Sequence, residues 1–230
     1  MAGIDETSEI IYDDSLKQLA INIGIFGAIF GFISYLVSTA IMVIQSYNPG
    51  PPESSFFAQL GVIGLFSFIF SILASVGYVG IFSLKGSMLG LFFPLSAFAS
   101  YFLSVILAMA IVSIFQNSIT LYLNFQNALQ YILAILGVLV LLSIRKKCSN
   151  PRFLLLYVIF ILIETHFWYV IWPVMVGIPI LQNSSFLYLL SIFLPVLFSV
   201  IDLFLLLTFF SIERKQVFIE GNSSQVDRYY

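Results

Sequence analysis

Three side chains in this sequence can take up or release a proton at places where few such groups should sit. They are Glu164, His166 and Asp202. Glu164-Thr165-His166-Phe167-Trp168 interrupts the apolar stretch 153–180, and Asp202 lies inside the next one, 186–212. An ionised acid at a bilayer centre costs about 2.5–3.5 kcal/mol on insertion scales. Neither stretch contains a Lys or Arg to offset that charge, so both acids are expected to be held neutral, and three uses fit them. The first is a proton or cation step along a polar path between helices, which makes Glu164, His166 and Asp202 transport or proton-coupling candidates. The second is hydrogen bonding to hydroxyls or backbone that fixes helix register. The third is docking of another membrane subunit. Glu164 and His166 are two residues apart and point about 200° away from each other on a helix, so they cannot both face Asp202.

Depth supports treating the three as a group. Glu164 lies ~18 Å along a helix from Arg152, His166 ~21 Å from it, and Asp202 ~16 Å from Glu213. Each falls near the middle of a ~30 Å apolar core. The short turn Gln182–Ser185 makes the two stretches expected antiparallel neighbours.

The positioning elements follow from hydropathy. Of 230 residues, 60% are hydrophobic and only 9% charged, with mean hydropathy +1.06; such a chain belongs in a membrane. The predicted fold is all-α, a polytopic bundle of six transmembrane helices at 19–47, 56–82, 88–115, 121–144, 153–180 and 186–212. Tails 1–18 and 213–230 flank it. The paired prolines and glycine of 49–52 mark the clearest loop. Pro94 is expected to kink the third span near its start, Pro173 and Pro179 fall in the last turns of the fifth, and Pro195 lies inside the sixth. All nine Lys and Arg fall on one side of this arrangement, so both termini are predicted cytoplasmic. The acidic lead and the long first apolar run do not read as a cleavable signal.

Gly24, Gly27 and Gly31 recur at three- and four-residue steps, a helix-packing stripe expected to meet another helix of the same chain. Small faces also run down the second span (Gly61, Gly64, Ser67, Ser71, Ala74) and the third (Ala97, Ser100, Ser104, Ala108). The first three spans therefore read as a close-packed support, and the last three as the place of activity or partner contact. Arg145, Lys146, Lys147 and Arg152 form a basic cluster expected to set topology and meet anionic headgroups; the sharper alternative is that, with Lys85, Arg214 and Lys215, it meets nucleic acid or a cytosolic motor.

Several functions are excluded or unmotivated. One cysteine, Cys148, and one histidine rule out an intrachain disulfide and a two-histidine or thiolate metal site; no metal and no cofactor are expected. No His-Glu-x-x-His, Gly-x-Ser-x-Gly or phosphate-binding glycine loop occurs, so nothing suggests an enzyme. Net charge is −2, which argues against a nucleic-acid face. Asn183 and Asn222 begin glycosylation sequons, the first too near the bilayer to be used and the second predicted cytoplasmic.

In overall character the chain resembles small multi-span membrane subunits of thermophilic archaea, among them the membrane component of the crenarchaeal DNA-import system. No individual residue carries that resemblance and it transfers no site. It implies DNA import as an alternative, with nucleic acid as a partner only in that case. The leading expectation is a transport-type protein of the cell membrane, a permease or the membrane part of a translocation machine. A non-transporting scaffold subunit of a respiratory or secretion complex is the competing one. Expected partners are the lipid bilayer, other membrane or cytosolic subunits such as an ATPase, or further copies of the chain.

Overall fold

A computed structural model of the chain describes residues 6–47, 54–115, 119–177 and 185–226. Among these it is helical, without strands. The helices are α1 (Glu6–Tyr47), α2 (Ser54–Leu84), α3 (Phe92–Phe115), α4 (Ile119–Ser143), α5 (Pro151–His166), α6 (Trp172–Gly177) and α7 (Ser185–Val226). A helix satisfies its backbone polar groups internally, which is what an apolar chain needs in lipid. Among the described residues, five segments are long and apolar enough to cross a membrane: Ser15–Ile44, Val62–Leu84, Asn124–Ser143, Pro151–Met175 and Leu189–Lys215. Met88–Leu103 is a shorter apolar stretch. Large apolar side chains cover the outside; Phe204, for instance, is 67% exposed, which suits lipid and not water.

Helix ends differ from the expected boundaries in two places. α1 begins at Glu6 rather than near residue 19, and α7 runs on to Val226 rather than stopping at 212. The polar residues flanking these spans continue the helix because neither junction carries a proline or glycine to end it. The expected tails are therefore largely extensions of the first and last helices. The 49–52 loop and Pro179 lie outside the described residues.

The turn after α2 is set by Gly86, whose φ of 66° lies in the left-handed region that glycine enters without penalty. The Ser87 N–H reaches back to Phe82 O at 2.9 Å, closing the end of α2. Ser87 then caps a 3₁₀ turn, Met88–Leu91, through a 3.3 Å bond from Leu89 N–H. α3 starts only at Phe92, so Pro94 stands in its first turn, where no helical N–H is lost. A change of helix type, from the 3₁₀ turn to α3, precedes the proline. Asn150 caps α5, accepting from Phe153 N–H at 3.0 Å, with Pro151 opening the helix.

The fifth apolar stretch is not one regular helix. Between α5 and α6 lies a π turn, Phe167–Ile171. Pro173 follows directly and cannot donate back into that turn; widening it keeps the proline ring off the preceding carbonyls.

α1 and α2 are the most extensively packed pair. A Cβ on Gly24 would strike the Gly77 backbone, and one on Gly27 would strike the Ala74 backbone. Gly31 looks onto Phe70 Cβ at 3.5 Å. The glycine stripe of α1 therefore packs within the chain, against α2. The tightest core gathers at the end of the bundle where α2 turns into α3 and α4 into α5. Ile21, Ile81, Phe82, Leu154, Phe209 and Phe210 are fully buried there.

Candidate functional site

Two cavities lie further along the bundle. The smaller, about 260 Å³, is bounded by α1 (Gly27, Gly31, Tyr35), α2 (Ser67, Ser71), α5 (Glu164) and α7 (Ser199, Asp202). The larger, about 440 Å³, lies among α2, α3, α4, α5 and the π turn. Glu164, Ser71 and Ala74 line both cavities.

Glu164 is thus the wall between two hollows, and Asp202 faces the same hollow from another helix. Both carboxyls are partly buried. Among the described residues neither has a hydrogen-bond or salt-bridge partner, and no Lys, Arg or His lines either cavity. Ser199, one turn before Asp202, joins it in the smaller cavity, and Trp168, one turn after Glu164, lines the larger. His166 does not belong to this group. It is exposed on the outside of α5 and lines neither cavity, as its two-residue offset from Glu164 requires.

The first half of the chain is tightly packed where α1 meets α2, but small faces of α2 and α3 also border the cavities. Ser71 of α2 and Ala97 and Ser100 of α3 line cavities, and Ala74 lines both cavities while its backbone meets Gly27. Small side chains permit close approach but do not compel it; where the facing helix stands off, they leave space. Gln130, from the polar opening turn of α4, also lines the larger cavity.

Toward the basic end the hollow closes. The Tyr78 and Tyr157 hydroxyls are 2.6 Å apart and buried, and Tyr78 stacks on Phe93 with centroids 4.1 Å apart. Beyond them Glu213, 1% exposed, accepts from Ser149 N–H at 3.0 Å and Ser149 Oγ at 3.1 Å. Lys85 Nζ lies 2.9 Å from its second oxygen. Lys147 Nζ donates to Lys85 O at 2.9 Å, and Arg214 to Asn22 Oδ1 at 2.8 Å. One carboxylate thereby ties the α2–α3 turn, the α4–α5 turn and α7 together. Burial and the nearby Glu213 carboxylate push the Cys148 thiol up to about 12. Arg145, Lys146, Lys147 and Arg152 are exposed on this same end.

Sequence reasoning missed three of these features: the tyrosine pair, the Glu213 clasp and the π turn. Glu213 reads as the start of a polar tail. The available signal was that this single acid abuts an apolar run at the end where the basic residues collect. Asn183 and Asn222 lack described side chains. Among the described residues no three His, Cys, Asp or Glu gather as a metal site. The chain matches no protein-family model, and neither a curated protein nor a solved structure matches it.

Proposed function

We propose that this chain is a transport-type protein of the cell membrane, in which a proton or small cation passes by way of Glu164 and Asp202. In this reading α3 completes a set of six spans, and the basic end, with both termini, faces the cytoplasm. One observation carries the proposal. Two acids from different helices border one cavity, without a cation or hydrogen-bond partner among the described residues, and one of them also borders a second cavity. Acids that only fixed helix register would be bonded to a neighbouring hydroxyl or carbonyl. Intramembrane acids lining a hollow are the usual mark of an ion path. The turns carry little material for an energy-coupling domain, so the driving force is an ion gradient or a partner subunit.

The test is flux in sealed vesicles holding purified protein. Glu164→Gln and Asp202→Asn should each lower proton or cation flux at least about tenfold, equivalent to 1.4 kcal/mol, with assembly unchanged. Flux that survives both changes would sink the proposal. Loss of assembly along with flux would favour the scaffold reading instead.

A further inference from the structure

We infer that the larger cavity is a binding site for an organic ammonium ion, a protonated amine with an aromatic or aliphatic body. This rests on the transport reading above and names its substrate class.

The electronic character of the wall favours a cation. Its one ionisable acid is Glu164, and among the described residues nothing basic lines the cavity. The serines could in principle donate or accept. However, Ser75 Oγ–H donates to Ile72 O at 2.6 Å and Ser96 Oγ–H to Phe93 O at 2.9 Å. Ser100 Oγ–H donates to Ala97 O at 3.0 Å in the same way. A hydroxyl whose proton is committed to its own helix presents only acceptor capacity to anything else. The Tyr78 and Tyr157 hydroxyls are likewise engaged with each other.

The π turn adds a further acceptor. The Trp172 N–H goes to Phe167 O, and Pro173 has no N–H. The Trp168 carbonyl therefore receives no bond from the residues four and five ahead of it. Trp168 and Tyr169 line the cavity. Irregular backbone at membrane depth is tolerated where it borders a cavity, because a ligand or water can satisfy the freed group. Trp168, Tyr169, Phe92 and Phe93 contribute aromatic rings, whose negative faces attract cations, tryptophan most strongly.

The Glu164 carboxyl, which a bound ammonium would hold ionised, the ring faces and the carbonyl favour positive charge, while Ser71, Gln130 and Thr165 bring neutral groups that can donate or accept. An anion finds no counter-charge here, and a neutral alcohol can donate to the same acceptors but without the charge that strengthens an ammonium's bond to a carboxylate. The volume, about 440 Å³, falls within the range of small-molecule sites and exceeds what a bare proton or metal ion needs.

The experiment uses the full chain in lipid nanodiscs at neutral pH. The protein has two tryptophans, Trp168 and Trp172, with rings 5.6 Å apart, so intrinsic emission reports on this cavity. The probes are 2-phenylethylammonium, its neutral near-isostere 2-phenylethanol and the anion 3-phenylpropionate, with protein-free nanodiscs as background. The ammonium should change the emission saturably and bind at least about tenfold more tightly than the alcohol or the anion, a difference of about 1.4 kcal/mol. Glu164→Gln should abolish that preference and Glu164→Asp retain it. Equal affinities for ammonium and alcohol, tighter binding of the anion, or no saturable response to the ammonium would each overturn the assignment. If neither variant folds, the comparison of the three probes on the unaltered chain still decides. Flux dependent on the two acids without ammonium selectivity removes the substrate class and leaves transport standing. Selective binding without flux removes transport and leaves the site.

Discussion

Glu213 and Glu164 are the same side chain in two opposite settings. At the basic end Glu213 is nearly inaccessible, yet it is held by Lys85 and by two bonds from Ser149. In the middle of the bundle Glu164 is more open, but it has no bonded partner among the described residues. A buried charge persists where every lone pair is matched, and becomes a liability when one partner is removed. An unmatched acid beside a cavity contributes little to holding the fold together, which leaves it able to bind and release. Burial alone does not separate the structural acid from the functional candidate; the partner set does.

The sharpest way to break this contrast is to neutralise each acid in turn. Glu213→Gln removes the buried carboxylate that pairs with Lys85, 10% exposed, and should cost about 3–5 kcal/mol. Glu164→Gln should change stability by no more than about 0.5 kcal/mol. Denaturant or thermal unfolding of both variants in the same lipid decides, and equal losses would erase the distinction. A smaller effect sharpens the boundary between the two regions. Tyr78→Phe strands the buried Tyr157 hydroxyl and should cost about 1–3 kcal/mol, whereas the double change to Phe should recover most of it. The same unfolding measurement reads both. The mildest test is chemical. With its thiol pushed up to about 12, Cys148 stays protonated at pH 8.5, where an ordinary thiol, titrating near 8.5, is about half ionised. Alkylation by iodoacetamide should be slow there and keep accelerating beyond pH 10. Glu213→Gln removes a neighbouring negative charge, lowers the thiol pKa and should speed the reaction.

Long apolar helices could be read from the sequence because twenty or more apolar residues in a row have few other solutions; of the six expected spans, five are long and apolar enough among the described residues, and 88–103 is shorter. The acids could be read because residue type and depth conflict so plainly at 164 and 202. The distance between helices could not be read. Periodicity tells which residues share a face, not how far away the next helix stands. Gly27 and Gly64 look alike in the sequence, but a Cβ on Gly27 would strike Ala74 backbone while one on Gly64 would meet nothing within 4 Å. The same ambiguity hid the cavities behind the serines of α2 and α3. The clasp was hidden because its members, Lys85, Ser149 and Glu213, are far apart in the chain, and only the folded turns bring them together. Pro173 was visible, but its consequence, a widened turn upstream of it, depends on how the helix relaxes.

The contact of α1 with α2 also constrains motion. Gly24 meets Gly77, and Gly27 meets Ala74, main chain against main chain. Such a seam has no side-chain rotamers to readjust, so the two helices can only travel together, as one strut. The ring of Phe210 on α7 sits on Gly24 and Gly77, so α7 is held to this strut about two turns beyond Asp202. The glycines thus fix the edge of the smaller hollow from which Asp202, and across it Glu164, take their places.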